Sequence, residues 1–360
     1  MREIQVLPAP DARQTDIFFD AGSYSAFPNV VKLDADELVL SFRQAPWEGT
    51  VIHVHPRSII TVIRSYDGGQ SWDCANAVQV AAGGGQELGL IDLGGGRIGG
   101  ALAWHEVVPG REQKRTGIRK LYEIEHSFRT PGSWWVWSDT YGLTWNPGHI
   151  LFVGVRTMPC APPLRLSDGT ILYPAYGEVN SGDLMQYSTY IYRSADDGAT
   201  WSAPTVMAQG APQTRTYHEP VVIEIKPGHL RALHRIEDVA VGTPGEFWTN
   251  ESFDNGHTWT EPQATGILSG ACPRLLKLRD GRLLLTFGRR FEPCAIRAML
   301  SKDGGQSWGD TAWVIREAPN GNQGYTSCVE FDNGLIFTAT YMENEASVTG
   351  IVGTFWRLPS

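Results

Sequence analysis

The chain has 360 residues, enough for a large core, and a formal net charge of −9 from 30 Lys+Arg against 39 Asp+Glu. Bulk charge of that sign gives no reason to expect nucleic acid or a membrane surface as a partner, and no apolar run is long enough to span a bilayer. Forty glycines, 22 prolines and 13 tryptophans suit a fold with many turns and bulky strand packing. The opening Met1-Arg2-Glu3-Ile4-Gln5 is not a signal peptide, which predicts a cytoplasmic location. Five cysteines (Cys74, Cys160, Cys272, Cys294, Cys328) are scattered without CxxC spacing. They read as buried thiols rather than a disulfide framework or zinc site, and neither metal nor cofactor is expected.

Two repeats alternate along the chain. The first begins at Phe27, Glu87, Cys160, Glu219, Cys272 and Tyr325. In each copy an apolar residue follows at the seventh position (Leu33, Leu93, Leu166, Ile225, Leu278, Phe331). A turn rich in Asp and Gly comes next, then a second apolar residue (Leu38, Ile98, Ile171, Leu230, Leu283, Ile336). This is a β-hairpin. The second repeat is Ser-x-Asp-x-Gly-x-Ser/Thr-Trp, at 65–72, 194–201, 252–259 and 301–308, with a degenerate copy at 138–145 where Thr140 replaces Asp. It describes a turn tied by a carboxylate to backbone N–H groups, with Gly left-handed and Trp plugging an apolar seam.

Each unit is therefore a hairpin, a third strand, a boxed turn and a fourth strand. Six units predict an all-β, six-bladed propeller of four-stranded antiparallel blades, forming a single domain over 1–360. The sixth unit lacks a box. Its third strand is placed at 348–356, and an N-terminal strand at 4–7 or 16–19 supplies the missing outer strand and closes the ring. Blade two carries a locally basic insertion at about 107–135, with Arg111, Lys114, Arg115, Arg119 and Lys120.

Strand direction selects the working face. The hairpin turns and boxed turns fall at one end, so the boxes are structural. The first-strand starts and the ends of the second strands (Arg43, Ala103, Tyr176, Arg235, Gly288, Tyr341) fall at the other. Carboxylates near a propeller axis need partners, so Glu87, Glu219, Arg43, Arg235 and Tyr325 are candidate pocket residues. A phenol beside a carboxylate that takes its proton becomes a usable nucleophile.

The box spacing over nearly the whole chain resembles the sialidase superfamily, whose Asp-box (BNR) repeats decorate a six-bladed propeller. Glu219-Pro220-Val221-Val222 with Arg235 resembles the segment that supplies the base and one clamp arginine in that family. Gly324-Tyr325-Thr326-Ser327 resembles the nucleophile segment. The resemblance implies another clamp arginine before the last box, among Arg289, Arg290 and Arg297, with Arg290 and Arg297 favoured. Two features depart from it. Ala26-Phe27-Pro28 stands where an Arg-Ile-Pro is expected, with Arg43 or Arg57 as nearby substitutes. The acid/base Asp position falls on His53, and His can do acid–base work near neutral pH.

The resemblance thus implies a glycoside hydrolase acting on a terminal, anionic carbohydrate. Catalytic candidates are Tyr325, Glu219 and His53. Substrate contacts are expected from Arg235, Arg297, Arg290, Arg43, Arg57, His55 and Glu87. A polysaccharide lyase with Tyr325 or His53 as base, and a carbohydrate-binding propeller without turnover, are the alternatives.

Overall fold

A computed structural model describes residues 4–49, 55–109, 126–177, 187–211, 215–238, 245–268 and 270–359. Six antiparallel sheets follow one another around an axis. Blade one is Ser23–Lys32, Leu38–Pro46, Ile59–Ser65 and Asp73–Ala82, from the axis outward. Blade four is Arg215–Lys226, His229–Asp238, Glu246–Ser252 and Gln263–Leu268. Blades two, three and five repeat the order. The first strand of blade three is broken into Thr157–Met158 and Leu164–Arg165, both paired with Ile171–Gly177.

Both candidate N-terminal strands are used. Arg13–Phe18 pairs antiparallel with Thr349–Trp356, becomes the outer strand of blade six and closes the ring. Gln5–Pro8 adds a fifth strand to blade five, parallel to Thr311–Glu317. Both ends of the insertion expected at about 107–135 lie in strands: Arg97–Pro109 and His126–Ser138 pair as far as Pro109↔His126. The five basic residues expected there lie outside the described residues.

Side chains alternate faces along a strand, and here both faces are buried. Leu38 and Leu40 join the axial core with Phe27, Tyr325 and Tyr341. Val39 between them points into the seam with blade two, among Leu88 and Ile98. Continuous apolar strands therefore replace the half-polar pattern of a one-sided sheet.

The boxed turns staple these seams. In blade four Ser252 Oγ donates to Asp254 Oδ1 (2.8 Å) and accepts from Gly256 N (2.8 Å). Thr258 N donates to Asp254 Oδ1 (2.8 Å) and its hydroxyl to Oδ2 (2.6 Å). Gly256 sits at φ +81°, a conformation open to glycine. The box tryptophan enters the seam with the preceding blade, as Trp201 does against Trp135 (ring centroids 5.2 Å apart). In the degenerate box Thr140 Oγ1 accepts from Thr144 N at 3.0 Å, so a hydroxyl replaces the carboxylate.

That substitution predicts a graded effect. Asp254→Ala should lower stability by about 1–2 kcal/mol in urea denaturation, and Asp254→Thr should recover part of the loss. Equal midpoints for Asp254→Ala and the wild type would remove the box from the stability account.

Candidate active site

The axial side chains are aimed by a shared distortion. In blades one, four and six the first strand holds a bulge in which two residues face one: Phe27-Pro28, Glu219-Pro220 and Tyr325-Thr326. Phe27, Glu219 and Tyr325 have φ of +59°, +46° and +52°. Bulky L-residues avoid this left-handed region, at roughly 1–2 kcal/mol per residue. The same strain at one station in three blades is what turns these side chains to the axis. In blades one and four the strand extends four residues beyond the station, so Phe27 and Glu219 are not strand starts.

The bulges bring Tyr325 and Glu219 together. Tyr325 Oη donates to Glu219 Oε1 at 2.5 Å, and Arg235 Nη1 donates to Oε2 at 2.9 Å. Tyr325 and Glu219 are each 5% exposed, so the contact is made away from bulk water. Burial opposes the Glu219 charge, yet Arg235 and the Tyr325 hydrogen bond outweigh it and hold the carboxyl at about 2. Burial, then Glu219, pushes the Tyr325 phenol well above its ordinary value, so the shared proton rests on Tyr325. Glu87 behaves oppositely. Burial, then Cys272 and Glu219, raise its carboxyl well above the usual range, which favours its neutral form.

Arg290 is the arginine from the last-box region that joins the group. Its Nη2 donates to Tyr341 Oη (2.7 Å), its Nε to the Gln323 carbonyl (2.8 Å), and its guanidinium lies 5.4 Å from the Tyr325 ring centre. Gly288 permits this approach, since a Cβ there would stand 2.4 Å from Gln323 Oε1 and 2.8 Å from the Gly324 Cα. Arg297 is a correction. It sits mid-strand opposite Phe287 and Val314, its charge disfavoured by burial and by Arg289, with nothing tying it to Tyr325.

Phe27 occupies the place of the absent arginine and packs edge-on against Tyr325 (4.7 Å) and Tyr341 (5.3 Å). Arg43 is fully buried, its pKa lowered to about 10 mainly by that burial, with its guanidinium 5.7 Å from the Tyr24 ring. Arg57 is exposed and donates to Glu48 (2.8 Å), which also meets His55 Nε2 (3.1 Å). His53 lies outside the described residues.

Sequence reasoning missed three side chains. Tyr24 donates to Asn322 (3.0 Å) at the blade-one side of Tyr341. The His218 and Tyr187 rings pack tilted to each other, 4.7 Å between centroids, with Tyr176 beside both, as an aromatic wall next to Glu219. His218 immediately precedes Glu219 and was readable as a neighbour of the axis.

Cys160, Cys272 and Cys294 are buried, but Cys328 is half-buried and Cys74 exposed, which corrects the expectation of five buried thiols. Cys160, Cys272 and Glu219 place two thiols and a carboxylate oxygen within 4.8 Å of one another. A cation there would compete with Arg235 and Tyr325 for Glu219, and with the Arg274 guanidinium 2.9 Å from Cys272 Sγ.

A family model for the BNR repeat-like domain matches residues 113–338. The chain belongs to this family. A search of curated proteins returns no match. Among solved structures, this BNR protein is similar to a protein of unknown function from Dyadobacter fermentans (TM-score 0.80, 23% identity, 97% of this chain and 100% of that one). It is also similar to a Hadza microbial sialidase (0.66, 19%, 93% of this chain), of which it covers 66%, and to an alpha-L-arabinanase from Penicillium chrysogenum complexed with arabinobiose (0.65, 11%, 97% and 99%). These likenesses show a sialidase-like propeller shared with glycoside hydrolases.

The depressed Glu219 pKa fixes a pH effect. Stability from its anion is complete above the unfolded value, about 4.3, and is lost as pH falls toward 2. Wild-type stability should therefore fall between about pH 5 and pH 3 more steeply than that of Glu219→Gln, followed by urea denaturation. Parallel profiles would contradict an anionic Glu219.

Proposed function

We propose that this BNR protein is a retaining glycoside hydrolase that cleaves a terminal sugar carrying a carboxylate. The observation that carries the reading is the 2.5 Å hydrogen bond from Tyr325 to Glu219, set among Arg235 and Arg290 on the propeller axis. A phenol is a weak nucleophile until a base takes its proton. An anionic sugar repels a carboxylate nucleophile and tolerates a neutral phenol, a use of tyrosine known among glycosidases.

The resting site stores the proton on Tyr325 because Arg235 suppresses the basicity of Glu219. A substrate carboxylate drawn to Arg235 and Arg290 relieves Glu219 of part of its counter-charge, and Glu219 becomes a better base as the substrate docks. Tyr325 Oη then attacks the anomeric carbon while Glu219 accepts the phenolic proton. The C–O bond to the leaving group breaks as its oxygen is protonated. We assign that proton to His53 on sequence spacing. Water subsequently displaces Tyr325, and two inversions retain configuration. Guanidinium groups suit the carboxylate because they bind it through paired, charge-assisted hydrogen bonds.

A panel of chromogenic sialosides, uronides and arabinosides, with NMR of the product anomer, tests the reading. Tyr325→Phe should lower kcat by about 10³-fold or more with KM little changed. Arg235→Ala should raise KM about 10–100-fold for carboxylate sugars and less for neutral ones. Full activity in Tyr325→Phe would refute the nucleophile assignment, and ultraviolet absorbance from an unsaturated product would replace hydrolysis with elimination.

A further inference from the structure

Blades three and five meet through sulfur. Cys160 lies in the gap between Thr157–Met158 and Leu164–Arg165, and Cys272 lies just before Arg274–Lys277. Both are buried, and their Sγ atoms are 2.8 Å apart. A tetrahedral metal with sulfur at about 2.3 Å holds two sulfurs about 3.7 Å apart, whereas a disulfide needs about 2.0 Å. The observed separation is nearer the bond than the metal site.

The electrostatics of the pair are asymmetric. Arg274 Nη1 donates to Cys272 Sγ at 2.9 Å, and its Nη2 donates to the Cys160 carbonyl. A guanidinium against the sulfur repels an incoming cation. Burial, reinforced by Cys272 and then Glu87, pushes the Cys160 thiol up and keeps it protonated. The two sulfurs stand within reach of each other, and Cys272 Sγ is the one that meets the guanidinium.

We propose that Cys160 and Cys272 are a modification site, oxidised by a hydroperoxide to a disulfide that ties blade three to blade five. Cys272 Sγ attacks a peroxide oxygen as it gives up its proton, the O–O bond breaks, and the departing hydroxide takes up that proton. The Cys160 sulfur then attacks the Cys272 sulfenic sulfur, and the hydroxide it expels leaves as water with the Cys160 proton. Two thiols lose two electrons and two protons, and hydrogen peroxide becomes two waters. Cys272 Sγ is 3.8 Å from the Glu219 carbonyl, so the bond braces the backbone that carries Glu219. It also closes a loop between positions 112 apart in sequence, a long span of the kind disulfides stabilise most. The site operates whatever the substrate.

The test uses the full chain, reduced, freed of reductant and treated with hydrogen peroxide. Thiols are counted in denaturant and peptides mapped without reduction. Cys160 and Cys272 should disappear together into one cross-linked peptide pair, dithiothreitol should restore them, and Tm of the oxidised form should rise by about 5 °C. Cys74→Ser, which removes the exposed competitor, should keep the cross-link. Stepwise oxidation of Cys272 to a sulfinate beside an intact Cys160 thiol would overturn the proposal. So would both thiols surviving while Cys74 has reacted.

Discussion

A single hydrogen bond between blades four and six depends on most of the fold. For Tyr325 to reach Glu219, each residue must leave the pleat of its own strand, and each does so through a left-handed bulge. That strain persists because the surrounding packing over-determines it. The second strands hold register on both sides of the bulge, and the blade seams bury both faces. Removing Arg235 would leave Glu219 as a buried charge with one neutral donor, a loss on the order of 3–5 kcal/mol. The pair is therefore a structural element as well as a chemical one.

Two buried carboxyls near the axis end in opposite states. Glu219, bonded to a guanidinium and a phenol, is held low and charged, whereas burial, then Cys272 and Glu219, push the Glu87 carboxyl up toward its neutral form. The cationic side of the site is also rearranged. Phe27 fills the position of an arginine with a ring against Tyr325, and Arg43 withdraws beneath Tyr24. Arg235 and Arg290 remain beside the phenol. The layout presents fewer guanidiniums and more aromatic surface than the resemblance implied.

The propeller was readable because its information is local and repeated. Box residues at fixed spacing name a turn, and alternation with hairpins counts the blades. Glu219, Arg235 and Tyr325 were readable for the same reason, as equivalent stations of one repeat. The bulges were not, since a left-handed φ at Phe27 or Tyr325 violates local preference and exists through tertiary packing. The choice between Arg290 and Arg297 depended on a strand boundary. Arg290 follows the end of its strand and can fold back to Gln323, while Arg297 is fixed mid-strand opposite Phe287. Cys160 and Cys272 looked like ordinary packing at two stations, and their contact joins positions 112 apart that no local pattern brings together.

The most direct measurement of the central claim is the site of covalent capture by a fluorinated glycosyl fluoride of the acid sugar that the proposed hydrolase would cleave. Intact mass and peptide mapping after rapid quench should place one glycosyl group on Tyr325, and none should form in Tyr325→Phe. A glycosyl group on Glu219, or turnover with inversion and no adduct, would contradict the account.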